Sequence, residues 1–488
     1  MLGLPDGPPL QVTGVTLDSR RVHPGDLYAA LPGFTTHGAH FAAQAGAAGA
    51  AAILTDPAGA ALLRQSGGIE LPVLVVDDPR GALGAVSAWV YGQPALAVAT
   101  TGITGTNGKT TTSYLLDAAL RAGGHTTGVI GTVATHIGDE VLPSTRTPPE
   151  APDLHALLAV MRERGASAVT MEVSSHALHL GRVDGVRFDL AVFTNLTRDH
   201  LDFHGDMESY FAAKAVLFTP QRAGAALVCT DDEWGVRVAD LARERGVATQ
   251  TYSLDGPGDW SAHDLVVGRQ GGSAFGVRGP AGIAVPAGVG LPGRHNVANA
   301  LAAIAAAVHH GVDPHVAARA VATCPGVPGR MEQVHAGQPF LALVDYAHTP
   351  DAVARAIAAT REVTVGRVIT VLGCGGDRDQ DKRPLMGEVA ARDSDVLVVT
   401  DDNPRSESPM TIREAIIEGT LRVDRRLRAH VLVEADRALA IGVAAGMARA
   451  DDAVLVLGKG HEQGQEAAGV STPFDARVAL RRAMEGLS

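Results

Sequence analysis

The chain has few lysines, few aromatic residues and few cysteines. Only four of its 41 basic residues are lysines, aromatic residues make up 4%, and the three cysteines lie far apart. The cysteine spacing matches neither a zinc site nor a disulfide framework. Positive charge is also in deficit, since 53 acidic residues give a net charge of -12. This argues against sequence-independent binding of nucleic acid, which requires a basic surface.

Membrane and export signals are missing too. No run of about 18 strongly apolar residues occurs, so the sequence predicts no transmembrane helix. The first residues, MLGLPDGPPLQ, show no basic segment followed by an apolar one, so no secretory signal is indicated. We therefore expect a cytoplasmic protein, monomeric, with neither a nucleic-acid nor a membrane partner.

Short apolar strands alternate with Ala-rich helical segments along the chain, which is an α/β pattern. A length of 488 residues, 46% of them hydrophobic, suits about three domains. The Pro/Gly cluster 324–330 indicates an interdomain linker. We expect domains at 1–95, 96–325 and 326–488, with mostly parallel sheets covered by helices. The Ala/Gly-rich segment 46–52 is expected to be helical.

The scarcity of lysine makes the remaining ones informative. A coding bias towards Arg, Ala and Gly can empty surface positions of lysine, because such positions accept either base. The bias cannot do so where a compact ammonium or a modifiable amine is required. The four lysines are therefore candidate site residues: Lys109, Lys214, Lys382 and Lys459.

The segment 101–110, TGITGTNGKT, lies between a predicted strand and a predicted helix. Glycines let backbone N–H groups close around phosphate, and a helix N-terminus favours the anion. The common P-loop would have a glycine at Ile103, so this loop is the more compact G-T-N-G-K-T. We predict a site for nucleotide phosphates and Mg²⁺ formed by Gly105, Thr106, Asn107, Gly108, Lys109, Thr110 and Thr111.

This loop and further motifs resemble the Mur ligase family from one end of the chain to the other. The motifs are Asp18-Ser-Arg20, Glu172-Val-Ser-Ser-His176, NLTRDHLD at 195–202, Ala213-Lys214, DYAHTP at 345–350, GCGGDRD at 373–379, DNPR at 402–405 and GKGHE at 458–462. The resemblance implies an N-terminal UDP-binding α/β domain, a central P-loop-type ATPase domain with a mostly parallel sheet, and a C-terminal Rossmann-like domain. The last motifs are typical of the family member that adds the third residue of the stem peptide.

The resemblance implies an ATP-dependent amide ligase of peptidoglycan precursor synthesis. ATP would phosphorylate the D-Glu γ-carboxylate of UDP-MurNAc-L-Ala-D-Glu, and an amine of meso-diaminopimelate would attack the acyl phosphate. Thr110 and Glu172 would hold one Mg²⁺, and His200 would help to hold another. Lys214 would become a carbamate, since an amine that loses its proton in a low-dielectric site can react with CO₂. The catalytic residues implied are Lys109, Glu172, His200 and Lys214.

The resemblance also implies positions for the two larger substrates. The nucleotide would contact Asn296, Asn299, Arg330 and Asp345. The family commonly has an aromatic residue at position 295, where this chain has His295. The UDP-muramoyl dipeptide would contact Ser19, Thr147, Ser174 and Arg182, with Pro148 in place of a second threonine. For Arg146 and His37, a phosphate contact and a solvated surface position are equally good explanations.

The amino acid would bind the C-terminal domain at Arg378, Asp402, Asn403, Pro404, Arg405, Gly458 and Glu462. Arg405 offers a planar fork for a distal carboxylate, and Asp402 can hold an ammonium. The D-N-P-R motif is the version associated with meso-diaminopimelate. Position 381, before Lys382, is Asp where a glycine is more usual, so L-ornithine and L-lysine stay alternatives. Since the ligand residues lie on different domains, we also expect closure about the 324–330 linker.

Two other functions compete with this interpretation. A ligase similar to folylpolyglutamate synthase would share the G-T-N-G-K loop but would lack the D-S-R, D-N-P-R and G-K-G-H-E motifs. A nucleotide-binding regulatory protein that had lost catalysis would show erosion of the implied catalytic residues. All four of these residues are intact, which favours the ligase.

Overall fold

The computed structural model describes residues 10–33, 35–67, 69–142, 146–268 and 272–486. Its first region is a four-stranded parallel sheet in the order β1-β2-β3-β4. The elements are β1 (Gly14–Thr16), β2 (Asp26–Ala29), α1 (Ala42–Ala47), β3 (Ala52–Thr55), α2 (Pro57–Gln65), β4 (Val73–Val75) and α3 (Pro79–Val90). The expected helix at 46–52 is wrong. Gly49 adopts a φ of +98° after α1, and Ala52 begins a buried strand.

The second region contains an eleven-stranded sheet in the order β15-β14-β13-β12-β11-β10-β5-β9-β6-β7-β8. Its strands are β5 (Ala99–Thr104), β6 (Thr127–Ile130), β7 (Thr135–Ile137), β8 (Glu140–Leu142), β9 (Ala168–Glu172), β10 (Phe188–Phe193), β11 (Ala223–Cys229), β12 (Ala248–Ser253), β13 (Trp260–Val267), β14 (Ser273–Arg278) and β15 (Ala284–Val289). The centre of the sheet is parallel, and both ends carry antiparallel strands. The chain leaves β5 towards strands on either side, so ligands are expected at the carboxyl ends of β5, β9 and β10.

The helices of this region are α4 (Lys109–Ala122), α5 (Ala151–Glu163), α6 (Ser175–His179), α7 (Leu201–His204), α8 (Met207–Ala215), α9 (Glu233–Glu244), α10 (Arg294–His309) and α11 (Pro314–Thr323). The Ala-rich helix α10 is buried along most of its length. It packs against α4 and the sheet in one core, while α5 and α9 pack in a core on the other side. This confirms the expected sheet with helices on both faces.

The third region has a six-stranded sheet in the order β16-β17-β21-β18-β19-β20, parallel except for β16, and a separate hairpin. Its strands are β16 (Glu332–Gln333), β17 (Leu341–Asp345), β18 (Val368–Leu372), β19 (Val396–Val399), β20 (His430–Val433), β21 (Ala453–Leu457) and the hairpin β22 (Gly464–Ala467) and β23 (Val470–Pro473). The helices are α12 (Pro350–Val363), α13 (Lys382–Asp393), α14 (Pro409–Thr420), α15 (Arg437–Met447) and α16 (Ala476–Glu485). Helices α12, α13 and α14 cover one face of the sheet, and α15 and α16 cover the other.

The segment between α11 and β16 joins the second and third regions. It contains the Pro/Gly cluster expected to be a linker, yet Val327 within it is only 2% exposed and belongs to the core of the second region. The linker is therefore anchored at its middle. In the part of the chain that the structure describes, no helix is long and apolar enough to cross a membrane.

Candidate active site

The predicted phosphate loop lies where β5 ends and α4 begins. Gly105 and Gly108 have φ angles of +146° and +87°, which residues with side chains rarely adopt. A Cβ on Gly108 would overlap the amide of Asn299. The side-chain oxygen of Asn195 accepts a hydrogen bond from the backbone N–H of Asn107 at 2.9 Å. The loop is therefore held in one conformation at the N-terminus of a long helix, which suits a phosphate ligand.

Glu172 ends the neighbouring strand β9 and faces the start of α4. Its carboxylate is 2% exposed and accepts hydrogen bonds from Thr110 Oγ1 at 2.9 Å, Thr132 N at 2.8 Å and Thr132 Oγ1 at 3.0 Å. Arg330, from the linker, donates to Thr110 Oγ1 at 3.3 Å. The structure thus brings together two of the predicted metal ligands. Thr132 is a contact that sequence reasoning missed.

Two of the four lysines meet at the phosphate loop. Lys109 Nζ donates to the carbonyl oxygens of Gly105 and Thr106 at 2.9 and 2.8 Å. Lys214, 1% exposed, donates to the same Gly105 oxygen at 2.9 Å. Burial lowers the pKa of both amines, and for Lys214 the charge of Lys109 lowers it further. A neutral amine is the form that reacts with CO₂, so these surroundings favour the predicted carbamate.

His200 lies beyond the end of β10, beside Asp199. Its Nε2 is 3.3 Å from Asp199 Oδ2, and its ring centroid is 4.8 Å from that of His176. Burial lowers the pKa of His200 to about 3. The imidazole is therefore neutral at pH 7 and keeps a lone pair for a ligand.

The donor set can be compared with the needs of Mg²⁺. Among the described residues, no three His, Cys, Asp or Glu side chains lie close enough to hold a metal ion together. Mg²⁺ usually keeps several waters and binds one or two carboxylates together with substrate phosphates. The buried carboxylate of Glu172 with the hydroxyl of Thr110 is such a partial set. The residues present therefore fit a metal ion that binds together with a nucleotide.

A cavity of about 400 Å³ opens beside the phosphate loop, between the second and third regions. Seven of the residues predicted to contact the nucleotide line it: Asn107, Gly108, Thr111, Asn296, Asn299, Arg330 and Asp345. His295 lines it as well, and burial lowers its pKa to about 4. A neutral ring therefore faces the cavity where the family commonly has an aromatic residue.

The predicted contacts in this cavity are held by neighbours. Asn296 and Asn299 share a face of α10, and Asn299 Nδ2 donates to Asn296 Oδ1 at 3.1 Å. Asp345 accepts hydrogen bonds from two backbone N–H groups, at 2.7 and 2.8 Å. The guanidinium of Arg330 lies 4.6 Å from the ring centroid of Tyr346. Tyr346 belongs to the D-Y-A-H-T-P motif, but the sequence predicted no contact for its side chain.

A larger cavity, of about 770 Å³, lies between the first region and the start of α5. Arginines from three segments line it: Arg20 and Arg21, Arg80, and Arg146. A cavity with this many guanidinium groups suits a ligand rich in phosphate or carboxylate oxygens. Arg80 was missed by sequence analysis, since it lies in no recognised motif.

The residues predicted for the muramoyl dipeptide are only partly brought together at this cavity. Ser19 lines it, while Thr147, Ser174 and Arg182 do not belong to its described lining. Ser174 Oγ donates to the Thr147 carbonyl oxygen at 3.4 Å, and Arg182 donates to Glu150 at 2.9 Å. Glu150 lines the cavity, so Arg182 is linked to the cavity through Glu150. His37 bonds to Asp56 and to a backbone N–H of its own loop instead of facing the cavity.

The predicted amino-acid residues meet at the carboxyl ends of β19 and β21. Gly458 has a φ of +109°, and a Cβ there would lie 2.6 Å from Asp402 Oδ2. This buried carboxylate oxygen has no hydrogen-bond partner among the described residues. Asn403 donates to Glu462 at 2.9 Å, so D-N-P-R and G-K-G-H-E form one cluster.

Arg405 and Arg378 differ in placement. Arg405 has a φ of +52°, donates to the carbonyl oxygen of Gly376 at 2.6 Å, and places its Nε 3.6 Å from Glu466 Oε2. Arg378 is exposed and donates to the carbonyl oxygen of Asp377 at 3.1 Å. Arg378 therefore contacts its own loop and not Asp402 or Glu462. Its predicted contact with the amino-acid substrate stays a prediction.

Models of three Mur ligase domains match the chain in succession. The Mur ligase family catalytic domain matches residues 11–89, the Mur ligase middle domain matches 103–307, and the Mur ligase glutamate ligase domain matches 329–460. These three segments contain the three sheets described above. The predicted fold class is thereby confirmed.

Similar proteins extend this match over the full length. The chain is 54% identical to UDP-N-acetylmuramoyl-L-alanyl-D-glutamate–2,6-diaminopimelate ligase of Streptomyces coelicolor, covering 99% of this chain and 94% of that one. A solved structure of a ligase with the same name is 32% identical, with a TM-score of 0.69, covering 98% and 95%. A MurF ligase from Thermotoga maritima in complex with ADP shares the fold at 18% identity, with a TM-score of 0.64 and 99% of both chains covered. The chain belongs to the Mur ligase family.

Proposed function

We propose that this protein is an ATP-dependent ligase of peptidoglycan precursor synthesis. It joins meso-diaminopimelate to the D-Glu γ-carboxylate of UDP-MurNAc-L-Ala-D-Glu. The similarity to the Streptomyces coelicolor ligase, at 54% identity over 99% of the chain, supports this substrate set. The arginine-lined cavity takes the nucleotide sugar, the smaller cavity takes ATP, and the D-N-P-R cluster takes the amino acid.

The phosphate loop positions ATP for transfer of its γ-phosphoryl group to the carboxylate. Phosphoryl transfer needs precise placement and cations around the developing negative charge. Lys109, which donates to two loop carbonyls, turns towards the phosphates when they occupy the loop. Arg330 approaches the same position from the linker. Asn296, Asn299 and Asp345 hold the remainder of the nucleotide.

Glu172, Thr110, His200 and Lys214 are the residues that would hold Mg²⁺. When bound, the ion neutralises charge on the transferring phosphoryl group and on the carboxylate. Lys214, as a neutral amine, forms an N–C bond to CO₂ and releases a proton to solvent, which leaves an anionic carbamate. Its burial and the neighbouring Lys109 lower its pKa, which favours the neutral amine. The carbamate would add a negative charge to a site that already contains the buried carboxylate of Glu172.

The D-N-P-R cluster holds the diamino acid so that one amine attacks the acyl phosphate. Arg405 binds a carboxylate with its planar fork, and Asp402 and Glu462 accept ammonium hydrogens. Asp402 Oδ2 is buried without a hydrogen-bond partner among the described residues. Its nearest cation is the buried guanidinium of Arg437, with Nη1 at 3.5 Å, and a ligand ammonium would supply the hydrogen bond that the oxygen lacks. The attack forms the amide bond and releases phosphate.

One observation supports this proposal above all. The phosphate loop, the buried pair of Glu172 and Thr110, and Lys214, whose pKa is lowered, lie together beside the cavity between the second and third regions. The test uses substrate labelled with ¹⁸O in the γ-carboxylate, together with ATP, Mg²⁺ and meso-diaminopimelate. We expect mass spectrometry to detect the tripeptide product and one ¹⁸O atom in the released phosphate. Product formed without label in phosphate would contradict an acyl phosphate, and absence of product would contradict the ligase.

A further inference from the structure

Lys459 is a buried cation beside the proposed amino-acid site. It follows β21 within G-K-G-H-E and is one of only four lysines in the chain. Its side chain is 0% exposed. The ammonium donates to Asn403 Oδ1 at 2.8 Å and to Glu462 Oε2 at 3.0 Å. No step of the proposed reaction uses this charge, so its burial needs another explanation.

Lys459 fixes the orientation of the Asn403 amide. The Oδ1 atom accepts from Lys459 and also from the backbone N–H of Glu466 at 3.0 Å. The amide nitrogen consequently faces Glu462 and donates to its Oε2 at 2.9 Å. A reversed amide would place its N–H groups against two other donors. The amide therefore has one stable orientation, and the buried ammonium is part of the reason.

Glu462 is also constrained. Its Oε2 accepts from both Lys459 and Asn403, which leaves Oε1 for other partners. Burial, followed by the charge of Glu462, raises the pKa of Tyr346 to about 12. The Tyr346 hydroxyl thus stays protonated near this carboxylate, while its ring lies 4.6 Å from the guanidinium of Arg330. Glu462 is therefore held by Lys459 and Asn403 and lies near Tyr346, which lines the nucleotide cavity together with Arg330.

We propose that Lys459 is a positioning residue for the amino-acid substrate: it holds Glu462 and Asn403 in the orientation in which they contact the polar groups of the diamino acid. The inference rests on the proposed function. An arginine here would have to fit a larger, planar guanidinium where the compact ammonium of Lys459 lies between Asn403 Oδ1 and Glu462 Oε2. This requirement explains why a chain so poor in lysine has one here.

The test replaces Lys459 by methionine, which keeps the length of the side chain and removes the ammonium. Because the lost hydrogen bonds come from a charged donor, we expect KM for meso-diaminopimelate to rise about 10- to 100-fold. KM for ATP and for UDP-MurNAc-L-Ala-D-Glu should change less than about twofold, because neither of the two cavities proposed for these substrates is lined by Asn403 or Glu462. Lys459→Gln keeps one donor and should recover part of the affinity.

Arg367→Met is the matched control. Arg367 pairs with Asp452 at 2.7 Å at the opposite end of β18, so its removal should leave all three KM values unchanged. Unchanged KM for the amino acid in both Lys459 variants, or an equal rise of all three KM values, would overturn the proposal and leave a structural role. Wild-type protein that turns over no amino acid would instead refute the proposed function.

Discussion

At the scale of single residues, the phosphate loop poses an electrostatic problem that carbamylation would resolve. The amines of Lys109 and Lys214 both donate to the carbonyl oxygen of Gly105, each at 2.9 Å. Two ammonium groups so close repel each other, which contributes to the lowered pKa of Lys214. Conversion of Lys214 to a carbamate reverses the sign, so that the pair attracts.

We predict that activity depends on dissolved CO₂. Wild-type enzyme kept in CO₂-depleted buffer should lose most of its activity and regain it when bicarbonate is added, measured by phosphate release. Lys214→Arg keeps a cation but cannot be carbamylated, so its activity should be lower by about 10²-fold or more. Bicarbonate should not restore the variant. Wild-type activity that is indifferent to CO₂ would rule out the carbamate.

Residue types explain which site residues could be predicted. Lys109, Lys214 and Lys459 stood out because the chain has almost no other lysine. Thr132 did not, since threonine is common in and after strands, and Tyr346 was part of D-Y-A-H-T-P without a predicted contact of its own. Their roles come from contacts between segments far apart in sequence, such as Thr132 with Glu172, 40 positions away. Only the packed structure reveals such contacts.

At the level of elements, α3 brings the first region close to the second at Gly84. A Cβ on Gly84 would overlap the backbone of Asp184, so the helix lies directly against that loop. Arg80, one turn earlier on α3, reaches Glu150 at 3.5 Å across the arginine-lined cavity. The close approach of the helix therefore sets the width of the proposed nucleotide-sugar site.

Gly84→Ala should separate these elements. We expect a loss of about 1–3 kcal/mol in the free energy of unfolding, because an added methyl group must displace backbone. KM for UDP-MurNAc-L-Ala-D-Glu should rise while KM for ATP stays unchanged, as measured by steady-state kinetics. Gly442→Ala in α15 is the control, since its Cβ would meet nothing within 4 Å, and it should not destabilise. If Gly84→Ala and Gly442→Ala have the same free energy of unfolding and the same KM values, the close packing of α3 at Gly84 does not shape this site.

Helix α5 contributes a pH-dependent contact at the same junction. His155 is 0% exposed, and its Nε2 donates to the Asp184 carbonyl oxygen at 2.9 Å. Burial lowers the pKa of His155 below its ordinary 6.5. As pH falls below 6.5, the unfolded chain binds a proton at this position and the native protein does not, so stability decreases.

Unfolding by urea at several pH values measures this effect of His155 on stability. Between pH 7.5 and 5.5, the wild type should lose about 1 kcal/mol more stability than His155→Gln. Glutamine keeps a donor for the Asp184 carbonyl oxygen and has no titratable group. If both proteins lose stability in parallel over this range, His155 is protonated in the native state and the assigned direction of its pKa is wrong.

Elements were predicted well where apolar pattern and turn residues agreed. The strand that feeds the phosphate loop and the helix that follows it are examples. Segment 46–52 failed because alanine alone does not distinguish a helix from a buried strand. Gly49 with positive φ ends the helix, and the following residues pair with β2. Long-range pairing, not local propensity, decided this segment.

At the scale of the whole molecule, the third region rests on the phosphate loop through a few polar contacts. Asp351, at the start of α12, accepts from Asn107 at 3.1 Å. Arg198 lies 3.7 Å from Asp381, and Arg330 reaches Thr110. Exposed ion pairs and single hydrogen bonds contribute little. The domain is therefore expected to leave this position easily when no ligand fills the cleft.

We predict that ligands shift the molecule towards the closed arrangement. Small-angle X-ray scattering should give a smaller radius of gyration with a non-hydrolysable ATP analogue plus UDP-MurNAc-L-Ala-D-Glu than without them. Since Val327 is anchored in the second region, rotation should occur at the residues after it. Identical scattering profiles with and without ligands would contradict closure.

Selection of meso-diaminopimelate by the D-N-P-R cluster can be tested by phosphate release with ATP, Mg²⁺ and UDP-MurNAc-L-Ala-D-Glu, with meso-diaminopimelate, L-lysine or L-ornithine added in parallel. We expect turnover with meso-diaminopimelate alone, since only this amino acid has a distal carboxylate for Arg405. Comparable turnover with L-lysine or L-ornithine would contradict that role of Arg405. No phosphate release with any of the three amino acids would contradict the proposed ligase activity.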